Sequence, residues 1–118
     1  MLLLRHQMHI FMEYAKNVGV KQMINEDRSK LSEKTLDLKR AIDSLKEELE
    51  AVDWYNQRAD ACSNENLKKI LIHNANEEKE HAAMLIEWIR QNDESFAKEL
   101  KEYLFAETED LTALEEKH

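Results

Sequence analysis

Residues 65–91 read ENLKKILIHNANEEKEHAAMLIEWIRQ, and the spacing within this stretch decides the fold. Leu67, Leu71, Asn74, Glu78, His81, Leu85 and Trp88 recur at alternating steps of four and three, the period that lines up one face of an α-helix. The spacing predicts a helix from about Glu65 to Gln91. The stretch before it repeats the pattern from Ser32 to about Ala61, where Leu38, Ala41, Leu45, Glu48, Val52, Tyr55 and Ala59 form one stripe flanked by Ile42 and Leu49. Between the two lies a short polar turn, Cys62-Ser63-Asn64-Glu65-Asn66, in which Ser63 or Asn64 can cap the second helix.

Working outward, Asn92-Asp93 ends the second helix, and Asp93 can cap a shorter one running to about Phe105. Residues 106–118 form an acidic tail with no assigned element. Upstream, Leu4, Met8, Phe11, Ala15 and Val18 predict an amphipathic helix over residues 1–18 with Gly19 as its stop. His6, His9 and Glu13 share its polar face, where such residues belong with or without a metal. A polar run, Asn25-Glu26-Asp27-Arg28-Ser29-Lys30, links it to the hairpin, which Ser29 or Ser32 can cap. Three regions result: an N-terminal helical extension and linker over 1–30, a helical hairpin plus short helix over 31–105, and the tail over 106–118.

Composition supports long helices and limits the partners. The 118 residues hold one glycine and no proline, so a sandwich or barrel with frequent tight turns is excluded. A formal net charge of -8 lacks the basic footprint of a nucleic-acid or anionic-membrane binder and makes cations the natural ligands. No segment approaches the roughly 20 apolar residues of a membrane span. Met1-Leu2-Leu3-Leu4 begins like an export signal, but Arg5, His6, Gln7 and His9 interrupt it. The lone Cys62 fits a reducing cytoplasm. A short chain of a few long helices buries their faces poorly alone, so self-association is expected.

The two central stripes share a defect. Glu48 interrupts the first, while Asn74, Glu78 and His81 interrupt the second. Carboxylates are almost never buried unless they are paired or bound to a cation. If the helices fold back at residues 62–65, residues at equal depth have numbers that sum to about 127, so at about 1.5 Å rise per residue Glu48 lies level with Glu78 and His81. Glu78 and His81 share one helical face at Glu-x-x-His spacing. Di-iron carboxylate bundles use one Glu from each of two helices and a Glu-x-x-His from each of the other two. This chain carries one of each. It therefore holds half a site, and two copies would supply four helices, four glutamates and two histidines. The oxygen-rich ligand set suits iron or manganese better than structural zinc. The competing reading is a noncatalytic oligomerisation module whose polar seam sets register or holds a structural divalent ion. Asn74 fits a register role as well as any other.

The run Glu47-Glu48-Leu49-Glu50-Ala51-Val52-Asp53-Trp54-Tyr55, followed by His73-Asn74, by Glu77-Glu78-Lys79-Glu80-His81-Ala82-Ala83-Met84 and by Glu87-Trp88, resembles the encapsulated ferritins. The likeness covers about residues 38–105, including Tyr103-Leu104-Phe105. It implies an all-α protein: an antiparallel two-helix hairpin, half of a ferritin-like four-helix bundle, completed by dimerisation, with an N-terminal helix and a short C-terminal helix. It implies a ferroxidase that oxidises Fe(II) to Fe(III) at a site of two irons per dimer. Glu48 would bridge the irons, and Glu78 and His81 would be the terminal ligands. Tyr55 would stand just behind them, and Glu47 and Glu50 would form a secondary site through which metal enters. The resemblance further implies a ring-shaped decamer held as cargo inside a cytoplasmic encapsulin nanocompartment, whose shell protein is the partner. Two features depart from the family: the amphipathic stretch before residue 30 is longer, and Leu111-Thr112-Ala113-Leu114-Glu115-Glu116 differs from the usual apolar docking peptide.

Overall fold

The computed structural model describes Ile10 and residues 24–115, so the helix expected over residues 1–18, with His6, His9 and Glu13, lies outside the described residues. A 3-10 turn at Arg28–Lys30 leads into helix α1, Glu33–Ala61, followed by α2, Glu65–Asn92, α3, Glu94–Tyr103, and a single turn α4, Thr112–Glu115. Helices α1 and α2 form the antiparallel hairpin that the two stripes predict. No strand is present among the described residues.

Each helix starts where a short polar side chain can satisfy its free N–H groups. Ser32 Oγ accepts from the Thr35 N–H at 3.1 Å, Asn64 Oδ1 from Leu67 at 3.0 Å, and Asp93 Oδ1 from Phe96 at 2.8 Å. Asn64 rather than Ser63 is therefore the cap at the hairpin turn. The turn is only Cys62-Ser63-Asn64, closed by the Cys62 N–H donating to the Ala59 carbonyl at 3.3 Å. So short a connection holds the helices side by side and antiparallel.

The seam between α1 and α2 departs from the stripes read off the sequence. The apolar residues buried along it are mostly small: Ala41, Ala51 and Ala59 on α1, Ala75 and Ala82 on α2, with Leu36 and Ile89 towards the open end. Leu38, Leu45 and Val52 are only half-buried, and Leu67 and Trp88 are exposed. Alanines let two backbones approach closely, which turns the bulkier members of the stripes towards the flanks. Ile42 and Leu49 lie seven residues apart on one side of α1, while Ile70, Met84 and Trp88 share one side of α2, and all five are exposed. The hairpin thus buries its small residues internally and keeps large ones for another surface.

Helix α3 ends at Tyr103, two residues before the end that the sequence predicts. Phe105 takes φ 59, the left-handed region that helices commonly enter at their C-terminal stop. The tail is also not without structure: Asp110 accepts from the Thr112 N–H at 3.2 Å and from its hydroxyl at 2.6 Å, starting the single turn α4.

Candidate metal centre

Glu48 lies near the middle of α1, Glu78 and His81 near the middle of α2, and the fold-back brings them to one level. Nδ1 of His81 lies 3.6 Å from Glu48 Oε2 and 3.6 Å from Glu78 Oε2. One potential donor atom from each residue falls within 4.8 Å of the others. Donor atoms about 2.1 Å from a shared first-row cation sit about 3.0 Å apart at right angles and about 4.2 Å apart when opposite, so the two 3.6 Å separations fall in that range while the 4.8 Å limit exceeds it.

The electrostatics point the same way. Glu78 is 1 % exposed and Glu48 8 %, and among the described residues these two are the ones whose buried side-chain oxygens, Oε2 in each, have no hydrogen-bond partner. A buried carboxylate oxygen without a partner is costly, and the usual remedies are protonation, an ion pair or a bound cation. Burial pushes the Glu78 carboxyl above its ordinary pKa, more than the neighbouring His81 imidazole pulls it down. A cation bound between the three side chains would remove that penalty.

The other residues singled out in the sequence, Glu47, Glu50 and Tyr55, lie along α1 within seven residues of Glu48. Glu47 precedes Glu48 on α1, and burial first, then the charges of Asp43 and Glu50, raise its carboxyl pKa, with Lys46 opposing. Glu50 is exposed one turn further on. Tyr55 lies two turns from Glu48 on the same face; burial raises its phenol, while the charge of Arg58 and then the Asn74 side chain act in the other direction. Arg58 stands over both aromatic rings of this segment, 5.6 Å from the centroid of Trp54 and 5.7 Å from that of Tyr55, a cation–π arrangement. The sequence reading overlooked Arg58, although its spacing of three and four from the two aromatics was visible. It also overlooked a pair on α2, exposed His73 Nε2 and half-buried Glu77 Oε1 at 3.6 Å, whose signal is the i,i+4 spacing.

Residues 23–107 match the family described as EncFtn-like. The chain belongs to the encapsulated ferritin-like family. An encapsulated ferritin-like protein of Rhodospirillum rubrum is 55% identical over 85 residues, which are 72% of this chain and 60% of that protein, so the chain spans somewhat under two thirds of this relative's length. A ferritin-like protein of Thermotoga maritima is 48% identical over 92 residues, 78% of this chain and 80% of that protein. An encapsulin nanocompartment cargo protein of Myxococcus xanthus is 41% identical over 59 residues, half of this chain and 45% of that protein. Among solved structures, a protein from Nitrosomonas europaea superposes with a TM-score of 0.71 at 59% identity, covering 74% of this chain and 96% of that one. All three triad residues fall inside the region shared with the encapsulated ferritin-like family. No helix among the described residues is long and apolar enough to cross a membrane.

Proposed function

We propose that the chain is a ferroxidase whose site is completed when two copies meet. The observation that carries this reading is the buried triad of Glu48, Glu78 and His81, with two carboxylate oxygens that lack partners in the single chain. Membership of the encapsulated ferritin-like family supports iron as the metal, with Fe(II) in this reading the substrate, bound as two irons per dimer. The ligand chemistry agrees, since carboxylates with one imidazole suit iron or manganese. Exposure of Ile42, Leu49, Ile70, Met84 and Trp88 beside the alanine seam supports a second hairpin packed there, each of these partly exposed side chains gaining about 1 kcal/mol from burial of its remaining surface.

In this reading Glu48 from each chain would be shared between the two irons, and Glu78 and His81 would hold one iron each. Two electrons, one from each ferrous ion, would pass with two protons from water to one dioxygen, giving two Fe(III) and one hydrogen peroxide, and the carboxylates would neutralise the extra positive charge of the ferric product. Burial keeps the ligands in a dry, low-dielectric setting, where this neutralisation is strongest. Tyr55 packs behind the triad, and Glu47 and Glu50 receive the incoming cation. The working unit is residues 31–105, with the 1–30 extension and the 106–118 tail as additions. The cargo naming of the Myxococcus xanthus relative supports an encapsulin shell as partner, a nanocompartment as location, and storage and detoxification of iron as purpose, with the dimers arranged in a ring-shaped decamer.

Aerobic oxidation of Fe(II), followed by the rise of ferric absorbance, tests the proposal. The wild-type chain should oxidise Fe(II) far faster than buffer alone, and a Glu48→Ala, Glu78→Ala, His81→Ala triple variant should fall to the buffer rate. Full activity in the triple variant would overturn the assignment.

A further inference from the structure

Helix α3 carries an apolar stripe that the single chain leaves open. Phe96, Leu100 and Tyr103 follow one another at steps of four and three, with Ala97 and Leu104 beside them on the same helical face. None of them is buried: Phe96 is 44% exposed and Leu104 51%. Just past the helix, Phe105 is 99% exposed and takes φ 59. A phenylalanine is costly there on both counts. The left-handed region strains a residue that has a Cβ and leaves glycine unstrained, and a ring wholly in water adds nothing to the chain's own core. Local strain persists where something else depends on it, which points to a contact outside the chain. The charges beside the stripe indicate its partner. Lys101 lies four residues from Ala97 and three from Leu104, on one flank, while Glu99 lies three from Phe96 and four from Tyr103, on the other, and both are exposed. Two such helices packed face to face in parallel set the lysine flank of each against the glutamate flank of the other, the arrangement that directs pairing in coiled coils. A partner of a single charge sign would meet a like charge on one flank. The stripe is complementary to its own copy.

We infer that α3, with Leu104 and Phe105, is a second interface between copies of this chain, in which α3 of one pair of hairpins packs in parallel on α3 of the next and joins pairs into the larger assembly. This rests on the paired ferroxidase reading, in which the flanks of α1 and α2 make the contact that completes the metal site and α3 is left to make another. The two contacts do not compete for space. Helix α3 follows the end of α2 and packs chiefly against it, and that end lies eleven residues beyond His81, about 16 Å of rise from the ligands. A helix of ten residues is too small to hold two single chains together, since a stable interface takes about 800 Å² from each partner. A pair of hairpins presents two of them, so linked pairs can close on themselves, and the closing contact gains the effective concentration of an intramolecular one.

Native mass spectrometry and sedimentation of the full chain over a dilution series test the interface. Phe105→Gly removes the ring and relieves the strain at once, so helical circular dichroism should be kept. The concentration at which larger assemblies part into pairs should nevertheless rise by about ten-fold or more, as loss of an anchoring interface aromatic does. Glu99→Lys and Lys101→Glu are exposed changes that leave the fold alone; each by itself sets like charges against each other across the stripe and should weaken the larger assembly. The double reversal should restore it, because both flanks match again. Larger assemblies that part at the same concentration in wild type and Phe105→Gly would overturn the inference, as would a double reversal no better than the single ones, or wild-type chains that never exceed pairs. The pairs left by each variant should still load two irons per two chains and oxidise added Fe(II). Assemblies that come apart as expected but take up no iron would support the interface and sink the ferroxidase reading.

Discussion

Glu78 stands where an aliphatic residue would pack best, and the chain accepts a buried carboxylate there without giving it a hydrogen bond to Oε2. Such a group burdens the metal-free protein, since an unsatisfied buried polar atom costs about 1–3 kcal/mol and more when charged. Glu78→Gln keeps the shape and removes the charge. It should raise the thermal midpoint of the apo protein by several degrees, at about 4–8 °C per kcal/mol for a domain of this size, while abolishing the stabilisation that added Co(II) or Fe(II) gives the wild-type chain. Differential scanning calorimetry with and without metal checks both halves. An apo midpoint below that of the wild type would mean that Glu78 is already compensated within the single chain. The opposite signs expected for stability and binding are what separate a ligand from a structural polar residue.

At the scale of elements, much was legible because the chain offers so few alternatives to long helices. With no proline and one glycine, the breaks had to come from capping residues, and Ser32 and Asp93 cap where the spacing placed them. The antiparallel level predicted at about 127 falls between the sums of 126 for Glu48 with Glu78 and 129 for Glu48 with His81, so the triad could be found by arithmetic. Three features could not. Periodicity marks an apolar face but does not say whether Ala51 or Val52 lies at its centre, and the structure chose alanine at the seam. Which of Ser63 and Asn64 caps α2 depends on a backbone geometry that only the folded turn sets. The left-handed turn at Phe105 carries no glycine to announce it. The connection between the long helices invites a direct test: Asn64→Ala removes the cap on Leu67 and should cost about 1 kcal/mol, while Asn64→Gly should cost only a few tenths. Urea denaturation of the two variants against wild type measures the difference, and equal losses would mean that the side-chain oxygen contributes nothing at this turn.

At the scale of the whole molecule, the proposed shared metal site and the exposed apolar flanks of the hairpin both call for a second hairpin. Ile42 offers a clean way to ask whether it is there, because it lies six residues from the nearest triad member and is 40% exposed in the single chain. On an isolated hairpin, Ile42→Glu is a surface change, expected to shift stability by no more than about 0.5 kcal/mol. In a paired assembly the same glutamate would be buried without a partner and would cost several times as much. The variant should therefore keep its helical circular dichroism yet appear in native mass spectrometry as single chains. Wild-type protein under Fe(II) titration should appear as pairs or multiples of pairs, loading two irons per two chains. Separated Ile42→Glu chains should lose rapid Fe(II) oxidation although Glu48, Glu78 and His81 are all intact. Single chains that still oxidise Fe(II) at the wild-type rate would place the whole site within one hairpin, and the apolar flanks would then need another explanation. Loss of activity together with loss of pairing would show that the exposed isoleucines, leucine and tryptophan act on the chemistry by bringing the second set of ligands within reach.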